Sequence, residues 1–126
     1  MRITEKEFEE LVTEALSSLP EKFREKMENI AVVVEDYPSR KLLAEVKISS
    51  PYGLLGLYRG IPYPRRGIWY ANVLPDKIII FKRPIEVRCG NREEIKEIVR
   101  RVVIHEIGHY FGLGEGELRK IEKERD

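Results

Sequence analysis

The chain holds two histidines, and both lie in the pentad His105-Glu106-Ile107-Gly108-His109. Their spacing is i and i+4, which on a helix places both imidazoles on one face, one turn apart. Two ring nitrogens so placed can reach one divalent ion at the ~2.0–2.1 Å of a Zn–N bond. Glu106 is turned by roughly 100° from His105 around a helix. That places its carboxylate beside such an ion rather than on it, where it can hold a water and take the proton. The competing reading is a pair of core histidines satisfied by hydrogen bonds. Against it, the pentad lies on a strongly marked helix, accounts for all the histidine, and is followed by Gly112 and the carboxylate of Glu115.

The element that must position these groups is legible. Asn91 and Glu94 have capping-box spacing, with acidic residues in the first turn, and predict a helix from about Arg92 to Phe111. Ile95, Ile98, Val99 and Val102 form its apolar stripe, and His105 and His109 continue that stripe. Ile104, Ile107 and Phe111 add a second apolar side near the pentad. A helix packed on two faces holds its side chains in fixed rotamers. Gly112 and Gly114 stop it, and a last helix is expected from about Glu117 to Glu124.

Upstream, Thr4 and Glu7 form another capping box, with Ile3 stapled against Phe8. Phe8, Leu11, Val12, Ala15, Leu16 and Leu19 repeat at helical spacing. Pro20 suits the opening of a short second helix through about Met27. The run Ile30-Ala31-Val32-Val33-Val34 predicts a strand buried on both faces, closed by turn residues from Asp36 to Ser39. A short helix is favoured over Arg40 to Ile48. Pro51 to Gly67 mixes Gly, Pro, Tyr and Arg; it predicts a strand over Leu54 to Tyr58 and then a long surface loop. Ile68-Trp69-Tyr70 is a candidate strand, and Lys77 to Phe81 a clear one. Helices, then strands, then helices point to an α+β fold.

A length of 126 residues suits one domain spanning 1–126. Charged residues reach 36% with a net charge of +1, a balance that suits surface ion-pair networks of the heat-adapted kind. It gives no strong field for nucleic acid or for a polybasic membrane surface. No apolar run approaches the ~20 residues needed to span a bilayer, and the charged N-terminus lacks a signal-peptide core. The single cysteine, Cys89, excludes an internal disulfide. A reducing cytoplasm is the expected setting.

The longer string from His105 through Gly112 to Glu115 resembles the metzincin pattern HExxHxxGxxH, with Glu115 in the third ligand position. Near the end of a short chain, it resembles the small bacterial zincin-like metallopeptidase family, formerly a domain of unknown function. The stretches from Leu54 to Pro62, from Leu74 to Ile78 and from Arg83 to Ile85 are similar to that family too. The resemblance implies a minimal zincin-like α+β fold. Its small mixed sheet of about three to four strands would pack on the N-terminal helix and the HExxH helix. It implies one Zn²⁺ per chain on His105, His109 and Glu115, with Glu106 as general base and a peptide or protein as substrate. A membrane is not implied, and nucleic acid is disfavoured.

There are departures and alternatives. Metzincins carry a methionine turn after the motif, whereas Met1 and Met27 both precede it. Glu117 is a second choice for third ligand. Tyr58, Arg59, Tyr63 and Tyr70 are the candidates for steadying an oxyanion, with packing or surface roles favoured for each. A bacterial rRNA-maturation endoribonuclease family has three histidines at these offsets but lacks the glutamate after the first, so Glu106 argues for the peptidase. A zincin-fold binding protein without catalysis is the third reading.

Overall fold

The computed structural model describes residues 1–27, 30–60 and 76–123, without the side chains of Glu115 and Glu122. Six helices and three strands follow in the order α1 (Glu5–Ser17), α2 (Glu21–Arg24), β1 (Ile30–Glu35), α3 (Arg40–Val46), β2 (Gly56–Arg59), β3 (Asp76–Phe81), α4 (Lys82–Glu86), α5 (Arg92–Phe111) and α6 (Glu115–Lys123) among the described residues. Mixed helices and strands of this kind make the α+β architecture expected above. The candidate strand at Ile68-Trp69-Tyr70 lies outside the described residues, as does the second half of the expected loop.

The sheet runs β1-β3-β2. β1 pairs with β3 in parallel, Ile30 opposite Asp76 and Glu35 opposite Phe81. β2 pairs with β3 antiparallel, Gly56 opposite Ile80 and Tyr58 opposite Ile78. Successive side chains of a strand face opposite ways, and β3 uses both faces. Ile78 and Ile80 enter a core with Phe8, Leu11, Val99 and Val103, from α1 and α5. Ile79 and Phe81 enter a second core with Leu42 and Leu43 of α3 and with Leu54. Each isoleucine buried this fully stabilises the fold by about 1.5–3 kcal/mol.

Burial on both faces therefore belongs to β3, not to β1 as expected. β1 is an edge strand among the described residues, and Val32, Val33 and Val34 are only half-buried. A run of β-branched residues reports strand propensity without reporting position in the sheet.

The first helix follows its signals. Thr4 Oγ1 accepts from the Glu7 N–H at 3.1 Å while Glu7 Oε1 accepts from the Thr4 N–H at 3.3 Å. Ile3 and Phe8 are both in the larger core. α2 is shorter than expected and continues as turns, the last from Met27 N to Arg24 O.

α4 was not foreseen. It is five residues long and contains Pro84, and it is held by tertiary contacts. The Glu86 carboxylate is 1% exposed. It accepts from the Ile3 N–H at 2.7 Å, from Arg83 Nη1 at 2.9 Å and lies 3.4 Å from Lys82 Nζ. Burial alone would raise its pKa. The Ile3 N–H and the two cations outweigh that and hold it below 4.5.

Candidate metal centre

α5 begins as its cap residues dictate: Asn91 Oδ1 accepts from the Glu94 N–H at 2.9 Å. Glu94 Oε1 in turn accepts from Gly90 N at 3.0 Å rather than from the cap residue's own N–H. The helix then runs unbroken to Phe111. Val99, Val103, Ile104, Ile107 and Tyr110 are buried around it, so the pentad is packed on two faces as expected.

The C-terminal end turns where glycine permits. Gly112 has φ 67°, left-handed backbone that glycine adopts without a Cβ penalty. The Leu113 N–H donates to Gly108 O at 2.9 Å, closing a Schellman-type stop. α6 follows after Gly114 and folds back along α5. A Cβ on Gly108 would lie 2.1 Å from Leu118 Cδ2, so the absence of a side chain is what lets α6 approach.

His105 is half-buried and His109 more exposed, with 49% of its side chain open to solvent. Their ring centroids are 4.8 Å apart and the planes are inclined by 72°. Two imidazoles that each bind one tetrahedral zinc through a single nitrogen sit with centroids about 5 Å apart.

Glu106 is buried, and its carboxylate is divided in use. Oε1 accepts from the backbone N–H of Tyr58 at 2.9 Å and lies 3.1 Å from His109 Nδ1. Oε2 has no partner among the described residues and is not closed off from solvent. In the tautomer that donates Nδ1–H to Glu106, the Nε2 of His109 carries the lone pair that a metal needs.

The contact with Tyr58 was not foreseen. It depends on β2 lying close against α5. Gly56 allows that approach, because a Cβ there would lie 2.5 Å from Val102 Cγ1 and 3.3 Å from Glu106 Cγ. A lone glycine inside a strand is a sequence signal for such close backbone contact. Strand geometry explains the rest. Leu55 O accepts from Phe81 N, so Leu55, Leu57 and Arg59 turn their backbone groups toward β3, and Gly56 and Tyr58 turn theirs outward.

His105, Glu106 and His109 are thus brought together. Glu115 is the first residue of α6, just past the Gly112 bend, and its side chain lies outside the described atoms. Among the described residues no three His, Cys, Asp or Glu side chains converge as a metal site. Glu117 is exposed on α6. Of the oxyanion candidates, the Tyr58 hydroxyl donates to Asp76 Oδ2 at 2.6 Å and its ring packs edge-on against Tyr110. Arg59 pairs with Glu45 at 2.9 Å. Packing and surface roles, the favoured ones, are what these two residues have. Tyr63 and Tyr70 lie outside the described residues.

The sequence model of the zincin-like metallopeptidase family matches residues 27–125. The chain belongs to that family. The match takes in the sheet and the helices from α3 to α6, and leaves α1 and α2 outside it. No curated protein matches the chain. Zinc is the metal that membership in a zincin-like family implies, and the donor chemistry of His105 and His109 suits it. No described helix of this zincin-like chain is long and apolar enough to cross a membrane.

Proposed function

We propose that this chain is a zinc-dependent peptidase in which His105, His109 and Glu115 hold one Zn²⁺ and Glu106 is the general base. The supporting observation is the divided carboxylate of Glu106: Oε1 is tied to Tyr58 N and His109 Nδ1, and Oε2 is left for a proton.

When bound, the ion supplies an acidified water, its pKa lowered toward about 7, and polarises the scissile carbonyl. Glu106 accepts the water's proton on Oε2, stores it, and delivers it to the leaving amine. Its anchored Oε1 keeps the carboxylate from swinging away between these two transfers. An extended peptide lies along β2, an edge strand among the described residues that lies beside α5, and pairs with the outward backbone groups at Gly56. Tyr58 N–H is already used by Glu106, so it holds the base and not the substrate. A nucleic acid would need free arginines beside the tyrosines that follow β2, and Arg59, the described one, is engaged by Glu45 at 2.9 Å.

The test has two stages. Metal analysis of purified protein should find about one zinc per chain, lost in His105→Ala and kept in Glu106→Gln. Cleavage of a peptide library should then fall by about 10²–10⁴ in Glu106→Gln. Zinc-loaded wild type that cuts no peptide, or a Glu106→Gln variant that cuts equally well, would falsify the proposal.

A further inference from the structure

Four large apolar side chains stand exposed among the described residues: Met1, Tyr37, Tyr52 and Val87. They come from four separate parts of the chain and meet on one face. The Tyr37 and Tyr52 rings are in edge contact, with centroids 5.7 Å apart. Arg88 Nη2 donates to Tyr52 O at 2.7 Å, which brings the end of α4 to Tyr52. The Met1 ammonium donates to Glu86 O and Cys89 O at 3.1 and 2.8 Å, on either side of Val87. Met1, Arg2, Tyr37, Arg83, Glu86 and Val87 line one shallow depression.

The rim of this face is cationic. Arg83 is matched by buried Glu86, which Lys82 also approaches. Arg2 and Arg88 have no carboxylate partner among the described residues. Asp36 is the acidic residue next to Tyr37 in the chain. The Tyr37 phenol reports the same surroundings. Its hydrogen bond with Tyr52 raises its pKa, and the charges of Arg83 and Arg2 pull against that rise.

We propose that this face docks a segment of a partner protein in which apolar side chains alternate with carboxylates. Exposed apolar side chains gathered in one place, ringed by unmatched charge, mark an interaction site. The charge selects the occupant. A second copy of the chain, joined through the same face, would set Arg2 and Arg88 against themselves. A nucleic acid would stack on the tyrosines and pair with the arginines. It has nothing to offer the aliphatic Val87, which is 59% exposed, or Met1. An acidic, apolar segment satisfies both halves of the surface.

The face is remote from the imidazoles. It borders the start of α5, and His105 lies about 20 Å further along that helix at 1.5 Å per residue. Docking there therefore leaves the pentad open and does not depend on the peptidase reading.

Fluorescence anisotropy with labelled peptides of alternating Leu and Glu tests the idea. The intact protein carrying Glu106→Gln serves as host, so that the probe is not consumed. The peptides should bind, and the same series with Lys for Glu should not. Arg2→Glu and Val87→Ser, both at exposed positions, should each weaken binding by about tenfold, with unchanged thermal unfolding. Equal binding of the Lys series, or binding unaltered by Val87→Ser, overturns the proposal. So does tighter binding of a poly-uridine oligonucleotide, or a concentration-dependent dimer that Val87→Ser abolishes.

Discussion

Gly108→Ala sets two effects of known size against each other between His105 and His109. In the interior of a helix alanine is favoured over glycine by ~0.8–1.0 kcal/mol, so at an open position the change would stabilise. At Gly108 the new Cβ would meet Leu118 Cδ2 at 2.1 Å, Cγ at 3.0 Å and Cδ1 at 3.1 Å. All three atoms belong to one side chain that is 2% exposed in the main core. Turning one methyl aside does not clear Cγ, and α6 must move away. Overpacking of this kind costs about 1–3 kcal/mol. The clash should win, giving a net loss of up to about 2 kcal/mol and a lower Tm by about 4 °C per kcal/mol.

A double-mutant cycle read by urea denaturation separates the two effects. Leu118→Ala alone should cost about 2–5 kcal/mol, as for other core leucines. In that background Gly108→Ala meets vacated space, and its effect should change sign to a gain of about 1 kcal/mol. The coupling between the two sites is then about 1–3 kcal/mol. If Gly108→Ala stabilises both backgrounds equally, α6 does not pack on Gly108 and the reasoning fails. Zinc content gives an independent reading, because Glu115 opens the helix that would be displaced.

Three further outcomes are expected. Gly56→Ala should push β2 off α5, since its Cβ would lie 2.5 Å from Val102 Cγ1 and 3.3 Å from the Ile79 carbonyl oxygen. Metal analysis beside peptide turnover should show zinc kept and cleavage lost, as the Tyr58–Glu106 bond opens. Gly112→Ala, which forces a Cβ into backbone at φ 67°, should cost about 1–2 kcal/mol in urea unfolding, and Gly112→Asn less. Glu86→Gln should cost about 3–5 kcal/mol by leaving buried Lys82 without its counter-charge. The folded pKa of Glu86 is below 4.5, so its stabilisation is complete above that pH and is lost as pH falls through the folded value. The wild-type stability profile should therefore slope on the acid side, and the variant's should lack that component.

The helix bearing the pentad could be read from sequence almost to the residue. Its boundaries are set locally, by Asn91 at one end and Gly112 at the other, and its burial by a 3.6-residue period. α1 was legible for the same reasons. β3 was legible as a strand, yet its central place among the described strands and the edge position of β1 among them were not, because strand order is decided by packing partners far away in the chain. α4 carries no apolar period, and its stability comes from Ile3 and two cations meeting Glu86. At the centre itself, residue types and spacing gave His105, Glu106 and His109. The partner of Glu106 is a backbone N–H, which every residue but proline possesses, so no residue type could announce Tyr58.

The bond from Tyr58 N to Glu106 joins residues 48 apart in sequence, and it exists only after β2 has found both β3 and α5. The two imidazoles need far less: a single helical turn, which forms in well under a microsecond. During synthesis or refolding the histidines are therefore paired before the carboxylate between them is seated. A chain arrested with α5 formed and the sheet still open would present both rings to a metal while its glutamate side chain swings without restraint. Order of assembly thus separates the pairing of the two imidazoles from the seating of the glutamate between them, and the slower event is the closing of a sheet whose parallel strands must first meet across a long connection.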